Sequence, residues 1–471
     1  MTTLASRLER ARERLAGHGQ EHVLGHAANL DPVRLDRLLD QVDALSLEQV
    51  DALAAALDDD GGFVLPADLA PATIVRRAQV DAAWSAHGEA LVRAGKVACF
   101  MVAGGQGTRL GWDAPKGTFP ATPITRAPLF QVFAEQIRAA RQRFGAMIRW
   151  YIMTSPMNDA PTREFFVRHD HFGLGADTVM FFPQGTLPSL SLDGRLLLAE
   201  PDELAVNPDG HGGSLRALRH SGALDDMRAH GIEHISYFQV DNPLVHAVDP
   251  IFVGVHAAHP SSSGEMTSKM VAKRDAAEKV GVFCASAGRT MVVEYSDLPA
   301  SLAAERDGDG RLRFDAGSIA IHMLSREFVE RLTAHGLALP LHKARKKVPH
   351  IGDDGIRVDP TTPNAIKMET FVFDAIPMAQ SSLVLETDRA EEFAPIKNAD
   401  GDDSPVTSIA AQVARAARWL ESAGWSIPRL ADGSPDCTIE LSPLAAGCEA
   451  ACTNLVPRAI ERGAALAITP S

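Results

Sequence analysis

Residues Lys96–Thr118 read KVACFMVAGGQGTRLGWDAPKGT, and this stretch decides the predicted fold. Its first part, Val97–Val102, is apolar and rich in β-branched and aromatic residues, which predicts a buried strand of a parallel sheet. Three glycines, Gly104, Gly105 and Gly107, follow almost at once. Because glycine has no Cβ and allows positive φ, backbone N–H groups here can wrap an anionic oxygen at close range. The sequence therefore predicts a phosphate-binding turn.

Two cations follow the glycines and sharpen this interpretation. Arg109 can hold a phosphate with two parallel hydrogen bonds, and Lys116 can act on it as a point charge. The P-loop pattern is excluded because Lys116 is followed by Gly117 and not by Ser or Thr. The dinucleotide fingerprint is excluded because Leu110 occupies its third glycine position, which argues against a nicotinamide-dependent dehydrogenase. A glycine turn can also serve only the close packing of strand and helix, but glycines together with Arg and Lys favour phosphate binding.

The length and composition bound the class of protein. A chain of 471 residues exceeds one ordinary core, so we predict an N-terminal helical region (1–89), a large central domain (90–380) and a C-terminal domain (381–471). Lys and Arg number 46 against 60 Asp and Glu, and the net charge of −14 argues against sequence-independent nucleic-acid binding. The five cysteines lack paired metal spacing, and no signal peptide or membrane-spanning run is evident, so we expect a cytoplasmic protein with no membrane partner.

Strands and helices alternate after the glycine turn. The pattern predicts helices over Pro128–Arg143 and Thr162–Phe172 and strands over Ile148–Thr154, Val179–Phe182 and Ile232–Asn242. This alternation indicates an α/β fold with a mixed, mostly parallel sheet, in which ligands bind beyond the carboxyl ends of the strands.

Polar residues follow several of these predicted strands. Gln184 could hydrogen-bond a planar base edge or could be an ordinary loop residue. Asp241 could hold Mg²⁺ against phosphates or could cap the next turn. A second glycine-rich turn, Asn207–Leu218 (NPDGHGGSLRAL), could cradle a sugar or phosphate, and on spacing alone its His211 is a surface histidine.

Two charged stretches receive structural interpretations. The run from Ser268 to Val282 is typical of a solvated face, and its charged residues include Lys269, Lys273, Arg274, Glu278 and Lys279. Asp58–Gly62 predicts a turn or linker.

Several blocks in one order resemble the eukaryotic-type UDP-sugar pyrophosphorylases, and in particular the UDP-N-acetylhexosamine (N-acetylglucosamine) pyrophosphorylases. The resemblance covers roughly Leu91–Gly401. The blocks are AGGQGTRLG from Ala103, WYIMTS from Trp150, FFPQGTLP from Phe181, NPDGHGG from Asn207, VDNPLVHAVDP from Val240, VVEYS from Val292, NAIKMETFVFD from Asn364 and EFAPIKNADG from Glu392.

The resemblance implies a Rossmann-like, GT-A-like nucleotidyltransferase sheet with an N-terminal helical part and a small β-rich C-terminal domain. It implies that the central domain, 90–380, is the nucleotide- and sugar-binding catalytic domain. It implies a uridylyltransferase that joins UTP to a sugar-1-phosphate and releases pyrophosphate, with Mg²⁺ as cofactor. The oligomeric state stays open. The implied nucleotide-binding residues are Ala103, Gly104, Gly105, Gln184, Gly210 and Asp241, with Asp241 also holding the metal. The implied catalytic residues are Arg109, Lys116 and Lys367, and the implied sugar-phosphate residues are His211, Glu294, Tyr295, Ser318 and Lys397.

Two positions depart from the family pattern and leave the sugar open. The N-acetylhexosamine enzymes typically have Asn where this chain has His211 and Ser318. N-acetylglucosamine-1-phosphate is the expected acceptor, and a glucose-1-phosphate enzyme or a broad UDP-sugar pyrophosphorylase is the alternative. A nucleotide-sugar sensor without turnover is a second alternative, since fold does not imply function. The argument against it is that five residues are all present, of which a sensor could lose several: Arg109, Lys116, Asp241, Lys367 and Lys397.

Overall fold

The computed structural model describes residues 3–55, 57, 63–335 and 339–470. The turn predicted over Asp58–Gly62 lies outside these residues. The chain forms two compact units. The first unit comprises Met1–Val64, Gly185–Gly213 and Leu339–Phe371, and the second comprises Leu65–Gln184, Ser214–Ala338 and Val372–Ser471.

The secondary structure alternates through most of the chain. The helices are α1 Leu4–Ala16, α2 Pro32–Ala44, α3 Leu47–Ala55, α4 Ala82–Arg93, α5 Leu129–Phe144, α6 Asp159–Arg168, α7 Gly213–His220, α8 Ala223–Ala229, α9 Pro250–Ala258, α10 Ala300–Ala303, α11 Arg326–Leu332, α12 Arg389–Glu392 and α13 Pro405–Ser422. The strands are β1 Ala70–Pro71, β2 Ile74–Val75, β3 Val97–Val102, β4 Trp150–Thr154, β5 Val179–Pro183, β6 Thr186–Pro188, β7 Leu190–Ser191, β8 Leu198–Glu200, β9 Glu203–Leu204, β10 Val206–Pro208, β11 His234–Gln239, β12 Met266–Ala272, β13 Val282–Ser286, β14 Arg289–Val293, β15 Ala316–Ser325, β16 His342–Lys346, β17 His350–Ile351, β18 Arg357–Val358, β19 Ala365–Glu369, β20 Ser382–Glu386, β21 Thr438–Leu441 and β22 Ala465–Ile468.

The second unit is built on an eleven-stranded sheet. Its main path runs β2-β20-β12-β15-β11-β3-β4-β5, and β1, β13 and β14 extend it from β15. All neighbours on the path are parallel except β15, which is antiparallel to β12 and β11. The predicted mixed, mostly parallel sheet is confirmed.

The centre of this sheet explains the sequence of β3. Because β3 lies between β11 and β4 and is covered on both faces, its side chains from Val97 to Met101 are all buried. The parallel register aligns Gln239 with Val102 and Val102 with Met153. The carboxyl ends of β11, β3, β4 and β5 therefore share one edge, and we call it the carboxyl edge.

Helices cover the sheet at close range. Between α4 and α9 the contact depends on Gly88 and Gly254. A Cβ on Gly254 would overlap the carbonyl of Trp84, and one on Gly88 would overlap the carbonyl of Pro250. Only glycine permits this approach of the two helix backbones.

The last part of the second unit has its own apolar cluster. Ser404 caps α13 and Pro405 occupies its first turn, which fixes where the helix starts. Trp419 and Trp425 then pack with Ile439 of β21, which pairs in parallel with β22.

The first unit combines α1–α3 with small sheets. Apolar residues from the three helices, such as Leu15, Leu39 and Val50, pack with Leu190 and Ile366 from the strands. The sheets of this unit are β16-β19-β7, β10-β6, β8-β9 and β17-β18. The three segments that form this unit lie far apart in the chain. The predicted three-part division along the sequence stays a prediction.

No helix in the described part of the chain is long and apolar enough to cross a membrane.

Candidate active site

The glycine turn after β3 is held in shape by a buried asparagine. Asn158 is 1% exposed, and its Nδ2 donates to the carbonyls of Ala103 at 3.2 Å and Gly105 at 3.3 Å. Its own carboxamide oxygen accepts from Ser155 N at 2.7 Å. Because the peptide bond is planar and trans, a carbonyl of Ala103 drawn toward Asn158 turns the N–H of Gly104 the opposite way. Asn158 is a residue that the sequence reasoning missed.

Gln184 lies directly against this turn. Its backbone N donates to Thr154 O at 2.8 Å, which continues the pairing of β5 with β4 past the strand end. A Cβ on Gly104 would collide with the end of the Gln184 side chain. The structure therefore brings together two of the predicted nucleotide-binding residues.

Lys116 and Asp241 face each other at the carboxyl edge. Lys116 Nζ is 3.2 Å from Asp241 Oδ2, and the two side chains are only 14% and 12% exposed. Lys116 follows the glycine turn and its N donates to Gly105 O at 3.2 Å, while Asp241 follows β11. A cation and a carboxylate from neighbouring strand ends thus meet beside backbone that is shaped for phosphate.

Lys397 is joined to this pair through the backbone. Ile396 N donates to Asp241 O at 2.8 Å, which places the segment that carries Lys397 alongside the residue after β11. The Lys397 side chain is 39% exposed, and its Nζ is 3.5 Å from Asp403 Oδ2. The side chain is therefore partly open to solvent, and its backbone lies beside the residue that follows β11.

Arg109 lies in the loop between the glycine turn and Lys116. It occupies a single 3₁₀ turn, Thr108–Leu110, and is exposed. Its predicted role stays a prediction.

Glu294 and Ser318 converge on Gly281. Ser318 N donates to Gly281 O at 2.8 Å, and a Cβ on Gly281 would stand 3.2 Å from Glu294 Oε1. Tyr295, the next residue, is 48% exposed. Three of the four predicted sugar-phosphate residues of the second unit thus come from the end of β14 and from β15, and the fourth is Lys397.

Three predicted site residues belong to the first unit. Lys367, on β19, pairs with Glu369 at 2.8 Å. Gly210 has a φ of +82°, and a Cβ there would collide with the backbone of Thr370. Glycine is therefore required at this turn on steric grounds alone.

His211 is half-buried, not a surface histidine as its spacing indicated. Its ring stacks on Phe371 with centroids 5.1 Å apart, and His342 packs on the same Phe371 ring at 4.3 Å. Burial lowers the pKa of His211 to about 4, with a smaller effect from His342, while Glu369 opposes the shift. The imidazole is neutral near pH 7 and can act there only as a neutral donor or acceptor.

The charged run after Ser268 is only partly a solvated face. Arg274 and Lys279 are exposed as predicted, but the prediction is wrong for Lys269 and Lys273. Lys269 is 1% exposed, on a strand between β20 and β15, and Lys273 is also buried. The Lys269 amine forms ion pairs with the carboxylates of Asp249 and Glu392, each at 2.6 Å. Charge alone does not show exposure, because a buried cation is tolerated when it is paired.

The sequence from residue 67 to 409 matches the family model described as UTP--glucose-1-phosphate uridylyltransferase. The chain belongs to this family. The predicted resemblance is confirmed, and with it the assignment of the protein to the uridylyltransferases, which are nucleotidyltransferases.

Individual relatives extend over nearly the whole chain. UDP-N-acetylglucosamine diphosphorylase 2 of Arabidopsis thaliana is 36% identical and covers 96% of this chain and 91% of its own. UDP-N-acetylhexosamine pyrophosphorylase-like protein 1 of Homo sapiens is 36% identical, with 92% of each chain covered. The crystal structure of the uridine diphosphate N-acetylglucosamine pyrophosphorylase from Trypanosoma brucei in complex with inhibitor is similar with a TM-score of 0.79 and 25% identity, covering 97% of this chain and 98% of that one.

Enzymes of this family use UTP and a sugar-1-phosphate and generally need a divalent metal. Among the described residues no three His, Cys, Asp or Glu side chains form a group that could hold a metal alone. Asp241 fits a different arrangement. A hard cation such as Mg²⁺ is commonly held by one or two carboxylates together with substrate phosphates, and Asp241 offers one carboxylate beside the glycine turn.

Proposed function

We propose that this protein transfers the uridylyl group of UTP to N-acetylglucosamine-1-phosphate and releases pyrophosphate. The observation that carries the proposal is the Lys116–Asp241 pair, 3.2 Å apart at the carboxyl edge beside the Gly104–Gly105 turn, in a chain of the uridylyltransferase family. The acceptor is chosen because relatives that span almost the full chain are named for N-acetylglucosamine or N-acetylhexosamine.

In the proposed reaction an oxygen of the sugar phosphate attacks the α-phosphorus of UTP in line. The bond between the α-phosphorus and the oxygen bridging to the β-phosphate breaks, and pyrophosphate leaves with that oxygen. Little covalent chemistry is asked of the protein, since positioning and charge stabilisation supply most of the rate in such transfers.

Each candidate site residue of the second unit has a proposed role. The Ala103–Gly105 turn and Gln184 hold the nucleotide, Lys116 stabilises charge on the phosphates, and Lys397 binds the sugar phosphate. Asp241 would hold the divalent ion, for which we propose Mg²⁺, and the ion would reduce repulsion between the two phosphate groups. Glu294, Tyr295 and Ser318 contact the sugar, and Arg109 assists the leaving group.

The proposed tasks of the first-unit residues come from the family resemblance. Lys367 would bind UTP phosphates, Gly210 would lie at the uracil end, and His211 would lie near the sugar. The cytoplasmic location likewise stays a prediction.

The residues His211 and Ser318 are the reason to consider a second acceptor substrate. Both replace the Asn that is typical of the N-acetylhexosamine enzymes, and His211 stacks on Phe371, so it presents a flat, neutral ring and not a flexible amide. A polar partner lost from a sugar pocket can change specificity by orders of magnitude. Glucose-1-phosphate is therefore the alternative acceptor.

The test is pyrophosphate release from UTP and Mg²⁺ with four acceptors, the 1-phosphates of N-acetylglucosamine, N-acetylgalactosamine, glucose and galactose. We expect the highest kcat/KM with N-acetylglucosamine-1-phosphate. A preference for glucose would move the assignment to the alternative. No release with any acceptor, from protein that binds UDP-sugars, would refute the enzyme and favour the sensor.

A further inference from the structure

A cluster of charged side chains is buried in the second unit. Lys269 Nζ lies 2.6 Å from Asp249 Oδ2 and 2.7 and 2.6 Å from the two carboxylate oxygens of Glu392. The side chains of Lys269, Asp249 and Glu392 are 1%, 13% and 3% exposed. We call these three residues the buried triad.

All three members are charged. Burial opposes the charge on Lys269, but the attraction of Asp249 and Glu392 outweighs it and raises the pKa of the amine. Burial likewise opposes charge on Glu392, yet the effect of Lys269 dominates and the pKa of that carboxyl falls. Thr387 Oγ1 donates to Glu392 Oε2 at 2.6 Å and His246 N donates to Oε1 at 3.2 Å, so both carboxylate oxygens are used.

Hydrogen bonds connect the segment that begins at Glu392 of the buried triad to Asp241 of the proposed active site and to the adjacent Asn242. Glu392 O accepts from Asn242 Nδ2 at 2.7 Å, and Ala394 N donates to Asn242 Oδ1 at 3.1 Å. Ile396 N then donates to Asp241 O at 2.8 Å. The segment 392–397, which ends in Lys397, is therefore fastened bond by bond to Asp241 and Asn242.

A buried ion pair contributes little net stability compared with apolar side chains of the same volume. It does constrain geometry, because every charged atom must keep its partner. In this chain the constrained element is Glu392, from which the Lys397 segment starts.

We propose that Glu392 is a positioning residue: held by Lys269 and Thr387, it keeps segment 392–397 against Asp241 and Asn242, and so sets the position of Lys397 toward Asp241. The inference rests on the proposed function, in which Lys397 binds the sugar phosphate. It predicts that loosening the triad weakens use of the sugar-1-phosphate more than use of UTP.

Lys269→Met alone would leave two buried carboxylates without a cation, and we expect it not to fold. Thr387→Val is the better test, because it removes one donor to Glu392 and keeps the charges and the side-chain shape. Tyr151→Phe is a matched control. It also removes a hydroxyl donor at 2.6 Å from a carboxylate, that of Asp226, at the start of β4 and away from the carboxyl edge.

In steady-state assays we expect Thr387→Val to raise the KM for the sugar-1-phosphate about fivefold or more, with the KM for UTP within about twofold of wild type. Tyr151→Phe should lower the melting temperature and move neither KM. Unchanged KM values in Thr387→Val, or equal rises for both substrates, would overturn the inference while the wild type remains an active uridylyltransferase. An inactive wild type would instead refute the proposed function, and the inference with it.

Discussion

Replacing Asp241 by Asn removes one negative charge from the carboxyl edge and leaves the shape of the side chain almost unchanged. At the 3.2 Å between Lys116 Nζ and Asp241 Oδ2, two unit charges attract by roughly 5 kcal/mol at an effective dielectric constant of about 20. Most of this is offset by lost hydration, so the net worth of the pair is about 1–2 kcal/mol.

Without a metal, UTP must compete with Asp241 for Lys116 and also meets a like charge. In Asp241→Asn both obstacles are gone, so we expect metal-free UTP to bind about 5- to 30-fold more tightly, which corresponds to about 1–2 kcal/mol. Turnover in saturating Mg²⁺ should fall by about 10²–10³, the scale of losing one preorganised charge-stabilising group. The variant thus binds the nucleotide better and uses it worse.

Calorimetric titration of UTP in EDTA and pyrophosphate release in Mg²⁺ measure the two effects. Asp226→Asn is the control, since Asp226 pairs with Arg149 at 3.0 Å elsewhere in the second unit and should alter neither quantity. Weaker or unchanged metal-free binding in Asp241→Asn would refute the electrostatic reasoning. Near-normal turnover would remove Asp241 from the metal role.

Three further substitutions test the packing and the titration of the site. In Gly117→Ala the new Cβ would collide with the ring of Phe130. The resulting shift of the adjacent Lys116 should lower kcat/KM by about 10–100-fold in the pyrophosphate assay. Unchanged kinetics would contradict this expectation. In Gly254→Ala the Cβ meets the carbonyl of Trp84, so the melting temperature should fall by about 5 °C or more, and a normal melting temperature would show that the helices can separate freely. His211, with its pKa lowered to about 4 from an ordinary value of 6.5, takes up a proton on unfolding between these values, so its contribution of up to about 3 kcal/mol is present above pH 6.5 and lost as the pH falls toward 4. The loss of melting temperature between pH 7 and pH 5 should therefore be smaller in His211→Asn than in wild type, and equal losses would contradict the burial of this ring.

The strand before the glycine turn could be predicted residue by residue. Val97–Val102 is a continuous apolar run bounded by glycine, and the structure gives β3 the same limits. The carboxyl edge could be predicted from this strand, because the carboxyl ends of neighbouring parallel strands lie at the same edge of a sheet. Gln184 and Asp241 could be placed there for that reason.

The interactions that hold the site together could not be predicted in the same way. Asn158 comes three residues after a strand-end serine, in a stretch with no pattern that marks a side chain turned back to the preceding loop. Lys269 carries a charge, which normally indicates exposure, and its partner Glu392 is 123 residues away. Long-range pairing of this kind leaves no local periodicity, so the sequence indicated a solvated face where the structure has a buried triad.

The composition of the first unit could not be predicted for the same reason, because it also depends on long-range pairing. The pairing of β19 with β7 joins residues near 190 with residues near 365, and both pack with α1–α3. Helical periodicity predicts the N-terminal helices, but it predicts neither the short strands of this unit nor which distant elements combine.

The most direct test of the central claim compares wild type with Lys116→Ala under saturating UTP, N-acetylglucosamine-1-phosphate and Mg²⁺, with ³¹P NMR following UTP, pyrophosphate and the UDP-sugar. The proposed site predicts equal amounts of pyrophosphate and UDP-N-acetylglucosamine from wild type, and at least about a hundredfold slower formation of both from a folded Lys116→Ala variant. Comparable rates from the two proteins would contradict the assignment of catalysis to the carboxyl edge.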